Sequence, residues 1–161
     1  MELASDFREF LSLLLSKNVR FLLIGAHALA AHGRPRYTGD LDVWVSPTQA
    51  NAKQVIAALR AFGFGTVGLS AKDFGAMDRV VQLGYPPLRI DILTSISGVF
   101  FPAAWKHRLV ASIAGLKVPV LSRDDYLTNK RAAGRPKDLL DVALLEEGEP
   151  RARRRKLRPK S

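Results

Sequence analysis

The chain has 161 residues, of which 47% are apolar and 25% charged, and its formal net charge is +10; this composition is typical of one globular domain. The sequence contains no cysteine, which excludes disulfide frameworks, thiolate zinc sites and cysteine nucleophiles. No apolar run approaches the ~20 residues of a membrane helix, and the acidic opening is unlike a secretory signal, so a cytoplasmic protein that does not bind membranes is expected.

Helices and short strands alternate in the first half of the chain. Apolar residues at helical spacing predict an amphipathic helix over residues 5–17. The apolar run 20–24 predicts a strand that ends at Gly25, and the alanine-rich segment after it predicts a helix. Alternation in Asp40–Val45 (DLDVWV) predicts a second strand, and a further helix is expected over about residues 47–62.

The second half of the chain predicts two hairpins followed by two helices. One hairpin is expected to join strands at residues 78–83 and Leu88–Leu93, and the other spans residues 109–121. A helix is predicted over residues 122–133, and Pro136 is well placed in the first turn of a last helix. The predicted fold is therefore α/β (α+β), with a mixed sheet and helices packed on one of its faces.

The positive charge is concentrated in the tail RARRRKLRPK at residues 151–160, which holds seven of the 25 basic residues and no acid. We therefore predict a single domain over residues 1–148 and a disordered basic tail over residues 149–161. A solvated end is the simpler interpretation of the tail. The alternative is an arm that binds RNA phosphates in a salt-sensitive way, although the tail has no aromatic residue to stack on bases.

Three acids are predicted to meet on one open face of the sheet. Strand alternation places Asp40 and Asp42 on the same face of DLDVWV, with the aliphatic residues facing the core. In LRIDIL the same alternation turns Asp91 away from the core together with Arg89. Carboxylates at close range resist joint ionisation, but a divalent cation makes the cluster favourable. The sequence therefore predicts a magnesium site.

A glycine that ends the first strand and leads directly into a helix predicts a phosphate-binding turn. Backbone N–H groups of Gly25 and Ala26 would face an anion at the positive end of the helix dipole. These features together resemble the polymerase β-like nucleotidyltransferases, in LLIGAHALAAHGRPRYTGDLDVWV and later in LRIDIL. More narrowly, the segment KRAAGRPKDLLDVALL is similar to bacterial nucleotidyltransferase-like proteins related to the abortive-infection and toxin–antitoxin group.

The resemblance implies transfer of a nucleoside monophosphate from an NTP to an acceptor hydroxyl, with two magnesium ions as cofactors. The three acids would hold the metals, and Asp91 would also help to deprotonate the acceptor. Three basic residues are expected to neutralise phosphate charge: Lys130, Arg135 and Arg36. The acceptor would be an RNA end, a protein hydroxyl or a small molecule, and a cognate toxin or antitoxin is a further expected partner.

Two other functions compete with the enzyme. Ala26 stands where the superfamily usually has glycine or serine, and this departure favours a catalytically inactive module that binds nucleotide or RNA. In the other alternative the protein is an RNA-binding protein whose sheet acids are incidental. Trp44 is most simply interpreted as a packing residue and Thr38 as a loop hydroxyl. The three histidines are most simply interpreted as structural residues. Asp138 and Asp141 are expected to serve the N-terminus of the last helix.

Overall fold

The structure is a computed structural model that describes residues 3–35, 38–64, 68–85 and 87–147. Six helices are formed in this part of the chain, together with a short 3-10 turn at Ala71–Asp73. The helices are α1 Ser5–Ser16, α2 Gly25–Ala31, α3 Gln49–Phe62, α4 Phe101–Lys106, α5 Arg123–Ala133 and α6 Pro136–Glu147. The strands are β1 Phe21–Ile24, β2 Asp40–Val45, β3 Val80–Tyr85, β4 Leu88–Leu93, β5 Leu109–Ile113 and β6 Leu116–Val120.

The strands form one mixed sheet in the order β3-β4-β2-β1-β6-β5. β2 pairs in parallel with β4, and β1 in parallel with β6, while the other neighbours are antiparallel. The predicted mixed sheet is therefore confirmed. The aliphatic residues of β2 and β4 that face the core are buried, as Leu41, Val43 and Ile92 illustrate at 0% exposure.

Two of the predicted elements begin two residues later than the sequence indicated. The predicted strand at residues 78–83 starts at Val80, because Asp78 has a left-handed backbone (φ 63°) and bonds with the Ser95 hydroxyl through its N–H and its carboxylate. The helix expected from residue 47 starts at Gln49, because the Thr48 hydroxyl caps it by accepting the Asn51 N–H at 3.2 Å.

The short helix α4 was not predicted from the sequence. It has only six residues, too few to show a helical apolar period. Its Phe101 ring lies 5.0 Å from the Trp44 ring in an edge-on contact, and Trp44 is 1% exposed. Trp44 shares a face of β2 with Asp40 and Asp42, so α4 covers one end of the acid-bearing face. The interpretation of Trp44 as a packing residue is confirmed.

The histidines occupy packing and capping positions. His32 ends α2, and its Nε2 lies 2.8 Å from the Leu121 carbonyl oxygen. His27 packs edge-on against Phe7, and burial lowers its pKa, although a backbone hydrogen bond and the charge of Asp40 oppose the shift. In the described residues, no helix is both long and apolar enough to cross a membrane.

Asn51 joins the ends of β1 and β2 through its side chain. Its Oδ1 accepts the Arg20 N–H at 2.8 Å, and its Nδ2 donates to the carbonyls of Arg20 and Ser46, both at 3.0 Å. Asn51→Ala would leave three backbone groups without these partners, so we expect a loss of about 2–3 kcal/mol in the free energy of unfolding, measured by urea titration. The matched control is Asn129→Ala, which removes a single exposed hydrogen bond. Equal losses in the two variants would contradict this interpretation.

Candidate active site

The three predicted acids are brought together by the parallel pairing of β2 and β4. Asp42 pairs with Asp91 across the two strands, and Asp40 pairs with Arg89. All four side chains therefore project from the same face of the sheet. Asp40 is further fixed by Thr38, whose hydroxyl accepts the Asp40 N–H at 3.0 Å. The hydroxyl of Thr38 thus shapes the backbone beside a candidate site residue.

Arg89 binds two of these acids at once. Its Nε donates to Asp91 Oδ1 at 2.9 Å, and its Nη2 donates to Asp91 Oδ2 at 3.0 Å and to Asp40 Oδ2 at 3.4 Å. The sequence placed Arg89 on the face of Asp91 but did not assign these contacts. Asp91 is only 8% exposed, so the expectation of an open face at this position is corrected: the guanidinium covers the carboxylate.

The surroundings of Asp42 oppose the ionisation of its carboxyl. The pKa of its carboxyl is raised from 3.8 to about 6, first by burial and then by the negative charges of Asp91 and Asp40 and a hydrogen bond with the Asp91 side chain. The positive charge of Lys130 acts in the opposite direction and lowers it. A carboxylate in this environment is stabilised when a cation binds beside it.

Gly25 allows the first strand to end directly against Asp42. Its backbone is left-handed (φ 67°), a conformation that side-chain-bearing residues rarely adopt. A Cβ atom at this position would overlap Asp42 Oδ2 and lie 3.1 Å from Asp42 Cγ. The next residue, Ala26, is buried at 6% exposure, so it presents little surface to a ligand.

Lys130 extends from α5 toward the acids and is held by two buried carboxylates of α6. Its Nζ lies 3.4 Å from Asp138 Oδ1 and 3.7 Å from Asp141 Oδ2. Asp138 is 0% exposed and Asp141 3%. Asp138 does serve the helix N-terminus as predicted, because it accepts the Arg135 N–H at 3.2 Å. Its contact with Lys130, and that of Asp141, were missed because they require α5 and α6 to pack together.

Arg135 shares Asp138 with Lys130. Its Nε donates to Asp138 Oδ2 at 2.7 Å and its Nη2 to Asp138 Oδ1 at 3.2 Å, while most of the Arg135 side chain stays exposed. Burial alone would raise the pKa of Asp138, but the hydrogen bonds and charges of Arg135 and Lys130 outweigh it and lower that pKa. One buried carboxylate thus holds two cations at the mouth of the site.

The acids and the cations line the same cavity, whose volume is about 560 Å³. The carboxylates of Asp40, Asp42 and Asp91 come from β2 and β4, and the cations of Lys130, Arg135 and Lys137 come from α5, α6 and the turn between them. Arg36, predicted as a further phosphate-binding residue, lies outside the described residues. The cavity is lined, among others, by Gly25, Asp40, Asp42, Asp78, Arg89, Asp91, Ser95, Asn129, Lys130, Arg135, Lys137 and Asp138.

The donor set of this cavity fits a magnesium ion. Magnesium prefers hard carboxylate oxygens, and a cation beside Asp42 would offset the burial and the negative charges of Asp91 and Asp40 that raise the pKa of its carboxyl. In the present conformation, however, no three acid or imidazole side chains among the described residues converge on one point. The chemistry of the site thus suits the metal, while Arg89 holds Asp40 and Asp91.

Three solved structures resemble this fold at low sequence identity. The lincosamide antibiotic adenylyltransferase LnuA, solved with lincomycin bound, aligns with a TM-score of 0.59 and 14% identity over 90% of this chain and 97% of its own. ANT(2")-Ia in complex with adenylyl-2"-tobramycin aligns with a TM-score of 0.58 and 14% identity over 94% and 91%. A Thermotoga maritima protein described as a nucleotidyltransferase aligns with a TM-score of 0.52 and 17% identity over 94% and 91%.

These likenesses confirm the polymerase β-like nucleotidyltransferase fold that the sequence predicted. No protein of curated function matches the sequence. The sequence profile of one family matches residues 3–157, which is nearly the whole chain. The chain therefore belongs to the family described as nucleotidyl transferase of unknown function (DUF2204).

Proposed function

We propose that the protein is a magnesium-dependent nucleotidyltransferase that moves a nucleoside monophosphate from an NTP to an acceptor hydroxyl and releases pyrophosphate. The observation that carries the proposal is a single cavity lined both by carboxylates on β2 and β4 and by cations on or between α5 and α6. A magnesium-bound triphosphate has the complementary arrangement, because its metal needs acidic ligands and its phosphates need basic ones. The volume of about 560 Å³ lies in the usual range for small-molecule sites.

The acids would have two roles, metal binding and proton acceptance. We assign Asp40, Asp42 and Asp91 as ligands of two magnesium ions, and Asp91 also as the group that accepts the proton of the acceptor hydroxyl. When bound, the metal supplies charge neutralisation for the attacking and leaving oxygens. The parallel pairing of β2 and β4 supports the assignment, because it fixes the separation of Asp42 and Asp91 in the backbone.

Lys130 is assigned to the phosphates. Its ammonium group is oriented by two buried acids and still lines the cavity, so it would meet a phosphate without losing side-chain entropy on binding. Arg135 and Arg36 are assigned auxiliary contacts with the phosphates, and the backbone N–H groups of Gly25 and Ala26 would bind a phosphate oxygen.

A small molecule with a free hydroxyl is the acceptor that we propose. LnuA was solved with lincomycin and ANT(2")-Ia with adenylyl-2"-tobramycin, and both align with 90% or more of this chain. RNA ends and protein hydroxyls are the other acceptor classes implied by the sequence resemblance. The toxin–antitoxin association and its cognate partner remain predictions from that resemblance.

The test is magnesium-dependent transfer of label from radiolabelled ATP, CTP, GTP and UTP to total RNA, total protein and a panel of hydroxyl-bearing small molecules. We expect wild type to label the small-molecule fraction and Asp42→Asn to lose at least about a thousandfold in rate, since a metal ligand is removed. Asp124→Asn, which changes an exposed acid on α5, is the matched control and should retain full activity.

A non-catalytic nucleotide-binding module is the second candidate, and the buried Ala26 in place of a hydroxyl-bearing residue favours it. Magnesium-dependent binding of nucleotide by well-folded wild type, without label transfer to any fraction, would support this candidate. Wild type that binds no nucleotide would contradict both functions.

A further inference from the structure

The guanidinium of Arg89 joins Asp40 and Asp91, two of the acids that we assign to the metal. It makes two contacts with Asp91, at 2.9 and 3.0 Å, and one with Asp40, at 3.4 Å. Both oxygens of Asp91 are therefore engaged in charge-assisted hydrogen bonds. The longer and single contact is the one to Asp40, so it is the easier of the two ion pairs to break.

Arg89 has room to move away from Asp40. Its side chain is 32% exposed and lines the cavity. On β3, the residue paired with Arg89 is Gly84, which presents no side chain beside it. A guanidinium and a divalent cation at neighbouring positions repel each other, so a metal that binds Asp40 and Asp91 would favour the displaced arginine.

We propose that Arg89 is an internal counter-ion that competes with the metal. It holds Asp40 and Asp91 together in the metal-free protein and releases Asp40 when a divalent cation binds, so it lowers the affinity of the site for metal. This inference rests on the proposed function, in which the three acids are the metal ligands. Arg89 is thus a positioning residue that sets the metal concentration at which the site forms.

Equilibrium binding of Mn²⁺, followed by electron paramagnetic resonance of the free ion, tests the proposal on the full chain. We expect Arg89→Met to bind Mn²⁺ on the order of tenfold more tightly than wild type, because a competing charge-assisted contact is removed. Arg89→Lys keeps the positive charge but loses the bidentate hydrogen bonds to Asp91, so its Mn²⁺ affinity should lie between those of wild type and Arg89→Met. The control is Arg131→Met, which removes an exposed ion pair with Glu146 and should leave the affinity unchanged.

Opposite results would overturn the proposal. If Arg89 instead holds Asp91 in its metal-binding position, the Mn²⁺ affinity of both Arg89 variants would be equal to that of wild type or lower. If Arg89→Met fails to fold, the Mn²⁺ affinity of Arg89→Lys still tests the proposal. An independent readout is the Nε–H resonance of Arg89 in ¹⁵N spectra: Mg²⁺ should shift it and speed its exchange with water, and a resonance that Mg²⁺ leaves in place would contradict displacement.

The outcomes separate this inference from the proposed function. Tighter Mn²⁺ binding by Arg89→Met, without nucleotidyl transfer by wild type, would support the inference and contradict the enzyme. If wild type transfers nucleotide but both Arg89 variants bind Mn²⁺ with wild-type affinity, the enzyme would be supported and the inference contradicted. Absence of Mn²⁺ binding in wild type and in Arg89→Met would overturn the inference together with the metal-ligand assignment on which it rests.

Discussion

Gly25→Ala is expected to reduce nucleotidyl transfer at least about a hundredfold and to lower the free energy of unfolding by about 2–4 kcal/mol. The methyl group would overlap the Asp42 carboxylate, and the left-handed backbone at φ 67° adds strain of about 1–3 kcal/mol for a residue with a side chain. Displacing a reacting group by about 1 Å costs on the order of a hundredfold in rate. The measurements are label transfer and urea unfolding.

Gly33→Ala separates backbone strain from the contact with Asp42. Gly33 also has a left-handed backbone, at φ 91°, but a Cβ there would meet no atom within 4 Å. It should therefore lose stability from strain alone and keep its transfer activity. If Gly33→Ala lost as much activity as Gly25→Ala, the loss would come from general strain and the argument from Asp42 would fail.

Asp42→Asn is expected to stabilise the metal-free protein above pH 6 even though it should abolish transfer. The pKa of Asp42 in the folded state, about 6, lies above the ordinary value of 3.8. Ionisation of Asp42 therefore costs more free energy in the folded state than in the unfolded chain. The contribution of Asp42 to stability is present below pH 3.8 and is lost as the pH rises through 6. At 1.36 kcal/mol per pKa unit, asparagine should gain up to about 3 kcal/mol at pH 7.5.

This gain should shrink as the pH falls from 6 to 4, since protonated aspartic acid and asparagine then carry the same charge. The measurement is urea unfolding of wild type and Asp42→Asn in a chelating buffer at pH 4.5, 6 and 7.5. Asp124→Asn is the control: it removes an exposed acid from the first turn of α5 and should destabilise by less than about 1 kcal/mol. A gain in Asp42→Asn that is independent of pH would contradict the assignment to ionisation.

Strand alternation was sufficient to predict the acid-bearing strands. Asp40–Val45 and Leu88–Leu93 are strands with the predicted bounds, because each carries aliphatic residues on the core face and acids on the other. The helix over Arg123–Ala133 was predicted from a serine cap and a terminal glycine, and both are formed, at Ser122 and Gly134. Local chemistry thus determined these elements.

The missed contacts depend on packing between distant segments. The sequence assigned Asp138 and Asp141 to the start of α6. Asp138 does lie in its first turn, but Asp141 lies in the second, and the structure buries both acids against Lys130. The buried face of α6 therefore carries two acids beside Val142 and Leu145, while Leu139 and Leu140 are 50% and 66% exposed. The hydrogen bond from Arg89 to Asp40 was likewise not predicted, because it depends on the pairing of β2 with β4.

The parallel pairing of Asp42 with Asp91 also limits how the length of this protein can change. Successive residues of a strand face opposite sides, so inserting or deleting one residue within β4 would turn Asp91 into the core and bring Ile90 or Ile92 to the cavity. Among homologues, gaps should therefore be found in the connections between strands and not inside Leu88–Leu93. An alignment gap within that strand would identify a protein that has lost the site.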